Sequence, residues 1–347
     1  MATNVKTQRD TTIDTVKCLL IFSIFVFHYG TAAGRWYSFF GAFHVPAFFM
    51  VSGFWAMNRL DRSVWSFLKN ATQKYLIHWL VWVCIYPIFY MAVKGYGIAT
   101  GWRLFVTYLC AVRESGIAGM WFVPAFFLVT LCYFLVAKGL AKCSWLTPQQ
   151  QAVFHCGIAL LVYLVYFLTV PQNKRMLFSV DQVPLHWFYY ALGRVVYGWW
   201  LWLKEQRTAL RRGVMIALAV ISSSYMVLMF FGWDSYLWSN LKQIFPVLPA
   251  TVGVVMALCG LFWVARVIRC GFLAYIGRST LGLCLCELLA KYPVQAVFTR
   301  FGWTVSSPWI AFLCAAIALL FGCFVLVPIV DWCVNTAFNG FKPKVKQ

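Results

Sequence analysis

The chain has 347 residues, 63% of them hydrophobic and only 11% charged, and a soluble protein of that size could not hide so much apolar surface. Its solvent is expected to be lipid. The net charge of +20 does not point to nucleic acid, because the 29 Lys and Arg are scattered among short connections; the expected partners are membrane lipids and phosphorylated ligands.

A helix needs about 20 apolar residues to cross the hydrocarbon core. Runs of this kind fall near residues 13–30, 37–57, 75–94, 119–138, 152–170, 186–203, 213–231, 246–265, 272–290 and 308–331. They predict an all-α polytopic membrane protein, a bundle of about ten transmembrane helices forming one domain over residues 1–347, with short terminal tails. The first run follows a polar stretch, Met1 to Asp14, and carries Asp14, Lys17 and His28, so it reads as a retained helix and not a cleaved leader. Arg103 to Val112 is too short to span and reads as an interfacial or re-entrant piece. No domain-scale linker and no obvious internal repeat interrupts the series.

Ten crossings place both termini on one side. Lys6, Arg9, Arg59, Arg62, Lys69, Lys74, Lys138, Lys142, Lys204, Arg207, Arg211, Arg212, Arg266, Arg269, Lys342, Lys344 and Lys346 gather on that side, 17 in all. The other side collects nine: Arg35, Lys94, Arg103, Arg113, Lys174, Arg175, Lys242, Lys291 and Arg300. The excess predicts cytoplasmic termini. The 13 cysteines lie mostly within apolar runs and, apart from the Cys284, Cys286 doublet, show no metal-ligand spacing, so they read as small buried hydrophobes and no metal is expected.

Ionisable residues inside the spans are the informative ones, since each costs about 3 kcal/mol at the bilayer centre on insertion scales. They are Asp14, Lys17 and His28 in the first run, His44 in the second, His78 in the third, Arg194 in the sixth, and Arg278 with Glu287 in the ninth. Lys17 and His28 stand about three helical turns, roughly 16 Å, apart on one face, and Asp14 is spaced to pair with Lys17. His suits proton transfer from a hydroxyl near neutral pH, and Glu287 or His44 could orient it. The plainer alternatives are a snorkelling Lys, a carboxylate answering the helix dipole, and a His or an ion pair satisfied within the bundle. Pro46 and Pro124 are expected to bend their helices, leaving carbonyls that need partners, whereas Ser52 and Gly53 allow close helix approach. Trp36, Tyr37, Trp199, Trp200 and Trp202 read as interfacial belt residues.

Ile13-Asp14-Thr-Val-Lys17 running to Phe27-His28, then Phe43-His44-Val-Pro46-Ala-Phe-Phe-Met-Val-Ser52-Gly53-Phe54, resembles the opening of the acyltransferase 3 family. Met120-Trp121-Phe122-Val123-Pro124, the Phe188 to Gly198 stretch and Tyr275-Ile276-Gly277-Arg278-Ser279-Thr280-Leu281 are similar to its later blocks. The resemblance extends over nearly the whole chain. It implies O-acylation, commonly O-acetylation, of a sugar, polysaccharide, lipid-linked glycan or other hydroxyl-bearing acceptor, in a bacterial cytoplasmic (inner) membrane. The donor it implies is cytoplasmic acetyl-CoA, a co-substrate and not a permanently bound cofactor. His28 holds the family's catalytic position, with Lys17 where an Arg stands in the pattern and Glu287 where a His commonly ends the late block. Lys74 stands for the basic residue before the third helix, followed by His78 where a Pro is common.

The expected mechanism therefore has Lys17, Arg59, Lys69 and Lys74 meeting the donor phosphates, His28 acting as base or transient acyl carrier, Asp14 positioning Lys17, and Glu287 or His44 orienting His28. Ser52 and Arg278 are expected to support the substrate or the fold. The rival reading is a transporter or flippase of a glycan or lipid intermediate, whose intramembrane charges line a path. A regulatory scaffold without catalysis is a third.

Overall fold

Thr11–Phe27 (α1) carries apolar side chains on every face, and a helix of that kind is stable only if other helices cover all of it. The computed structural model, which describes residues 11–56, 60–113, 118–233 and 247–339, puts α1 on the axis of a helical bundle, with Val16, Leu20, Ile21, Phe25 and Val26 fully buried. Its neighbours come from both halves of the chain.

The remaining helices, in order, are α2 (Arg35–Gly41), α3 (His44–Gly53), α4 (Val64–Ala71), α5 (Ile77–Lys94), α6 (Ile98–Cys110), α7 (Phe122–Leu140), α8 (Pro148–Thr169), α9 (Val183–Glu205), α10 (Thr208–Phe231), α11 (Val247–Ile268), α12 (Gly271–Arg278), α13 (Thr280–Arg300), α14 (Pro308–Phe321) and α15 (Val327–Asn339). The described residues contain no strand. Among them, seven helical runs are long and apolar enough to cross a membrane, including Val64–Lys94 and Pro308–Thr336, each continuous through a π-helical turn. Adding α1, α9 and the broken α2–α3 pair reaches the expected ten, so that number is an approximate one.

The breaks have physical causes. The second expected span divides at Ala42 and Phe43, because Pro46 has no N–H to donate and its ring would strike the Ala42 carbonyl of a continuous helix. A restart at His44 puts Pro46 in a first turn, where no N–H is needed. Pro124 likewise sits in the first turn of α7. Neither proline bends a helix from within, contrary to the expectation; Pro87 and Pro293 are the interior prolines of α5 and α13. The Met120 carbonyl that Pro124 leaves without a donor does need a partner, and accepts from Trp79 Nε1 at 3.1 Å.

Glycine contacts set the helix spacing at two joints of the bundle. Gly53 of α3 and Gly193 of α9 face each other's helix backbone, so that a Cβ on either would fall 1.9 Å from the Tyr190 or Met50 carbonyl oxygen. Gly277 of α12 faces α1 in the same way, 1.7 Å from the Asp14 carbonyl oxygen. The close approach read from Ser52 and Gly53 is thus observed, with Gly193 as its counterpart.

The ninth expected span is displaced. It divides at Ser279, and α13 continues to Arg300, ten residues past the predicted end. Lys291 therefore lies inside a helix at 5% exposure, not in a connection. That correction takes one residue from the nine assigned to its side.

Candidate functional site

The two ends of α1 face different surroundings. At its start, Lys17 lines a cavity of about 430 Å³ together with Ser52, Lys74, Tyr133, Arg278 and Cys284. The cavity is walled by Phe48, Phe122, Phe126 and Tyr190, which give it an aromatic interior below a basic mouth. The Lys17 ammonium sits 5.4 Å from the centre of the Trp55 ring. Asp14 is almost wholly buried and its Oδ2 lies 3.4 Å from Arg278 Nε, an ion pair that ties α1 to α12 beside the Gly277 contact. Arg278 and Glu287 cannot meet along their own chain segment, and each finds a partner on another element.

At the far end, His28 follows the last residue of α1 and is held in the helical turn by its N–H, which donates to the Ile24 carbonyl at 3.1 Å. Its Nδ1 lies 2.6 Å from Glu287 Oε2. The glutamate is 1% exposed and the histidine 27%, so the carboxylate is sealed behind a ring that still reaches open space. The bundle thus brings together the pair that sequence spacing alone could only suggest. Cys284, at the cavity wall, is one helical turn before Glu287, about 4.5 Å along α13.

The remaining candidates divide. His44 Nδ1 donates to the Phe40 carbonyl at 2.6 Å and its ring packs on Phe27, which separates its role from that of Glu287. Ser52 lines the cavity while its hydroxyl donates back to the Phe48 carbonyl at 2.8 Å. Lys74 is on the cavity wall, whereas Lys69 points outward from α4 and is not; Arg59 lies outside the described residues. His78 lies 3.4 Å from Asp331 on α15, and the Arg194 guanidinium stands 5.9 Å from the Tyr197 ring centre. Among the described residues no group of His, Cys, Asp and Glu is disposed to hold a metal ion.

Sequence reasoning missed Lys291. Its ammonium donates to the His28 backbone carbonyl at 2.7 Å and stands 3.6 Å from Glu287 Oε1. The signal was present, since Glu followed four residues later by Lys is the favourable helical order. It is hidden because Lys291 is the first residue beyond the predicted span of 272–290, where a charge reads as a connection.

A conserved-domain model described as an acyltransferase domain, that of the acyltransferase 3 family, matches residues 10–327. The chain belongs to this family. The match begins just before α1 and takes in both ends of the candidate site, and the acyltransferase is an all-α, multi-pass integral membrane protein. No curated protein and no solved structure matches the acyltransferase.

Proposed function

We propose that this acyltransferase moves an acetyl group from cytoplasmic acetyl-CoA to a hydroxyl of a sugar, polysaccharide or lipid-linked glycan at a bacterial cytoplasmic membrane. The observation that carries the reading is the 2.6 Å contact between His28 Nδ1 and Glu287 Oε2, at the opposite end of α1 from a basic, aromatic-walled cavity. A carboxylate at Nδ1 fixes the proton there and leaves Nε2 with its lone pair, the form a general base requires.

In this reading Lys17, Lys74 and Arg278 hold the phosphates of the donor at the cavity mouth, and the pantetheine arm carries the thioester inward past Phe122 and Cys284. Lys answers a phosphate as a point charge and not as a fork. His28 Nε2 takes the proton of the acceptor hydroxyl as its oxygen attacks the thioester carbonyl. The tetrahedral centre then expels the CoA sulfur, which receives that proton and leaves as free thiol, and an acetyl ester remains on the acceptor. Glu287 stays ionised throughout and stabilises the transient imidazolium. Both termini are cytoplasmic, as the basic residues around the connections favour.

Membranes holding the wild type or His28→Ala, supplied with radiolabelled acetyl-CoA, test the reading. Label should enter a membrane-associated acceptor, with release of free CoA, only with the wild type. Equal transfer by both would sink it, and movement of acceptor without CoA release would favour a transporter.

A further inference from the structure

We propose that Lys291 is a positioning residue for the His28–Glu287 pair, supplying the positive charge that lets Glu287 stay ionised while His28 stays neutral; this rests on the reading of His28 as the base. Two contacts carry it. Lys291 Nζ donates to the His28 carbonyl at 2.7 Å, and it stands 3.6 Å from Glu287 Oε1 while Oε2 faces His28.

The first contact closes α1. The last carbonyls of a helix have no intrahelical donor and form the negative end of its dipole, so a cation from another helix is favourable there. The ammonium also sits 4.2 Å from the centre of the Tyr29 ring, on the residue that follows His28. The second contact occupies the other oxygen of Glu287, so the carboxylate cannot turn without breaking one of its two partnerships.

The charge argument is the sharper one. Glu287 is 1% exposed, and a lone carboxylate buried to that extent is strongly disfavoured. Its charge must be balanced locally. Among the described residues, His28 and Lys291 are the basic groups within ion-pair distance; His44 on α3 and Cys314 on α14 are further titratable neighbours of the cluster. If His28 carried the balancing charge, it would already hold the proton it must accept. If Glu287 took up a proton instead, the Nδ1 contact would lose its charge. Lys291 removes both alternatives, because it neutralises Glu287 from the side away from the imidazole.

The test uses membranes containing the full chain, matched for the amount of folded protein by thermal melting after detergent extraction, with radiolabelled acetyl-CoA as donor and the membrane's own acceptor. Lys291→Met should lower the maximal rate about 10- to 100-fold with the KM for acetyl-CoA unchanged, and Lys291→Arg should restore most of the rate. In a Glu287→Gln background, where no charge needs balancing, Lys291→Met should cost less than about threefold more. A full rate in Lys291→Met, or equal losses in both backgrounds, would overturn the proposal. Should Lys291→Met not accumulate as folded protein, Lys291→Arg against Lys291→Gln makes the same comparison, with equal rates counting against the proposal. Activity surviving in His28→Ala removes the underlying reading; an inactive His28→Ala beside a fully active Lys291→Met removes only the role of Lys291.

Discussion

The Lys17 end and the His28 end of α1 carry charges of the same kinds and use them differently. Around Lys17 the cations line an open cavity and outnumber their carboxylates; around His28 one carboxylate is held between two basic side chains with hardly any exposed surface. An excess of positive charge at a mouth suits an anion that arrives and leaves. A buried carboxylate balanced by two basic side chains suits a proton that moves a short way and returns. Under the proposed function the contrast separates donor binding from chemistry along a single helix, and substitutions at each end should therefore change different kinetic constants.

The largest effect is expected from His28→Ala, which should lower the maximal transfer rate about 10³-fold while acetyl-CoA still binds, as measured by label incorporation and by equilibrium binding of the donor. Glu287→Gln should follow at roughly 10²-fold, because the amide keeps the shape but can turn an N–H toward His28 and lose the tautomer. A normal KM for acetyl-CoA in that variant would support the separation, and a raised KM with an unchanged rate would break it.

Gly277→Val probes the joint between the two ends. The new side chain would meet the Asp14 carbonyl, push α12 off α1 and lower stability by about 1–3 kcal/mol, seen as a fall in the melting temperature in detergent. Lys17→Ala should leave the maximal rate and raise the KM for acetyl-CoA about tenfold, since a charged hydrogen bond to phosphate contributes about 1.5–3 kcal/mol. The smallest effect belongs to Lys69→Ala. That side chain is exposed on α4 away from the cavity wall, so both constants should stay within about twofold; a KM change as large as that of Lys17→Ala would mean that the donor extends over α4.

Legibility followed the range of the interaction. The apolar runs show the all-α bundle directly because lipid tolerates few other structures. Gly53 and Pro46 are readable as special positions, but a proline can bend a helix or begin one, and its local sequence does not say which. Glu287 was recognisable as an expensive intramembrane charge, but its partner is 259 positions away in the chain, beyond any spacing rule. Lys291 reads as part of a connection because a charged residue ordinarily marks the end of an apolar run. Here the run continues past it.

By itself the sequence determined that the chain lives in lipid, which residues are costly there, and which family it belongs to. These are properties of composition and of short motifs, in which each residue's transfer energy or local geometry acts without reference to distant neighbours. Only the tertiary structure decided that Asp14 faces Arg278, that Lys17 opens on a cavity, and that His28, Glu287 and Lys291 form one cluster. Those pairings depend on how α12 and α13 dock against α1, which is set by contacts such as Gly277 on the Asp14 carbonyl, where the absence of a single Cβ lets two helices meet.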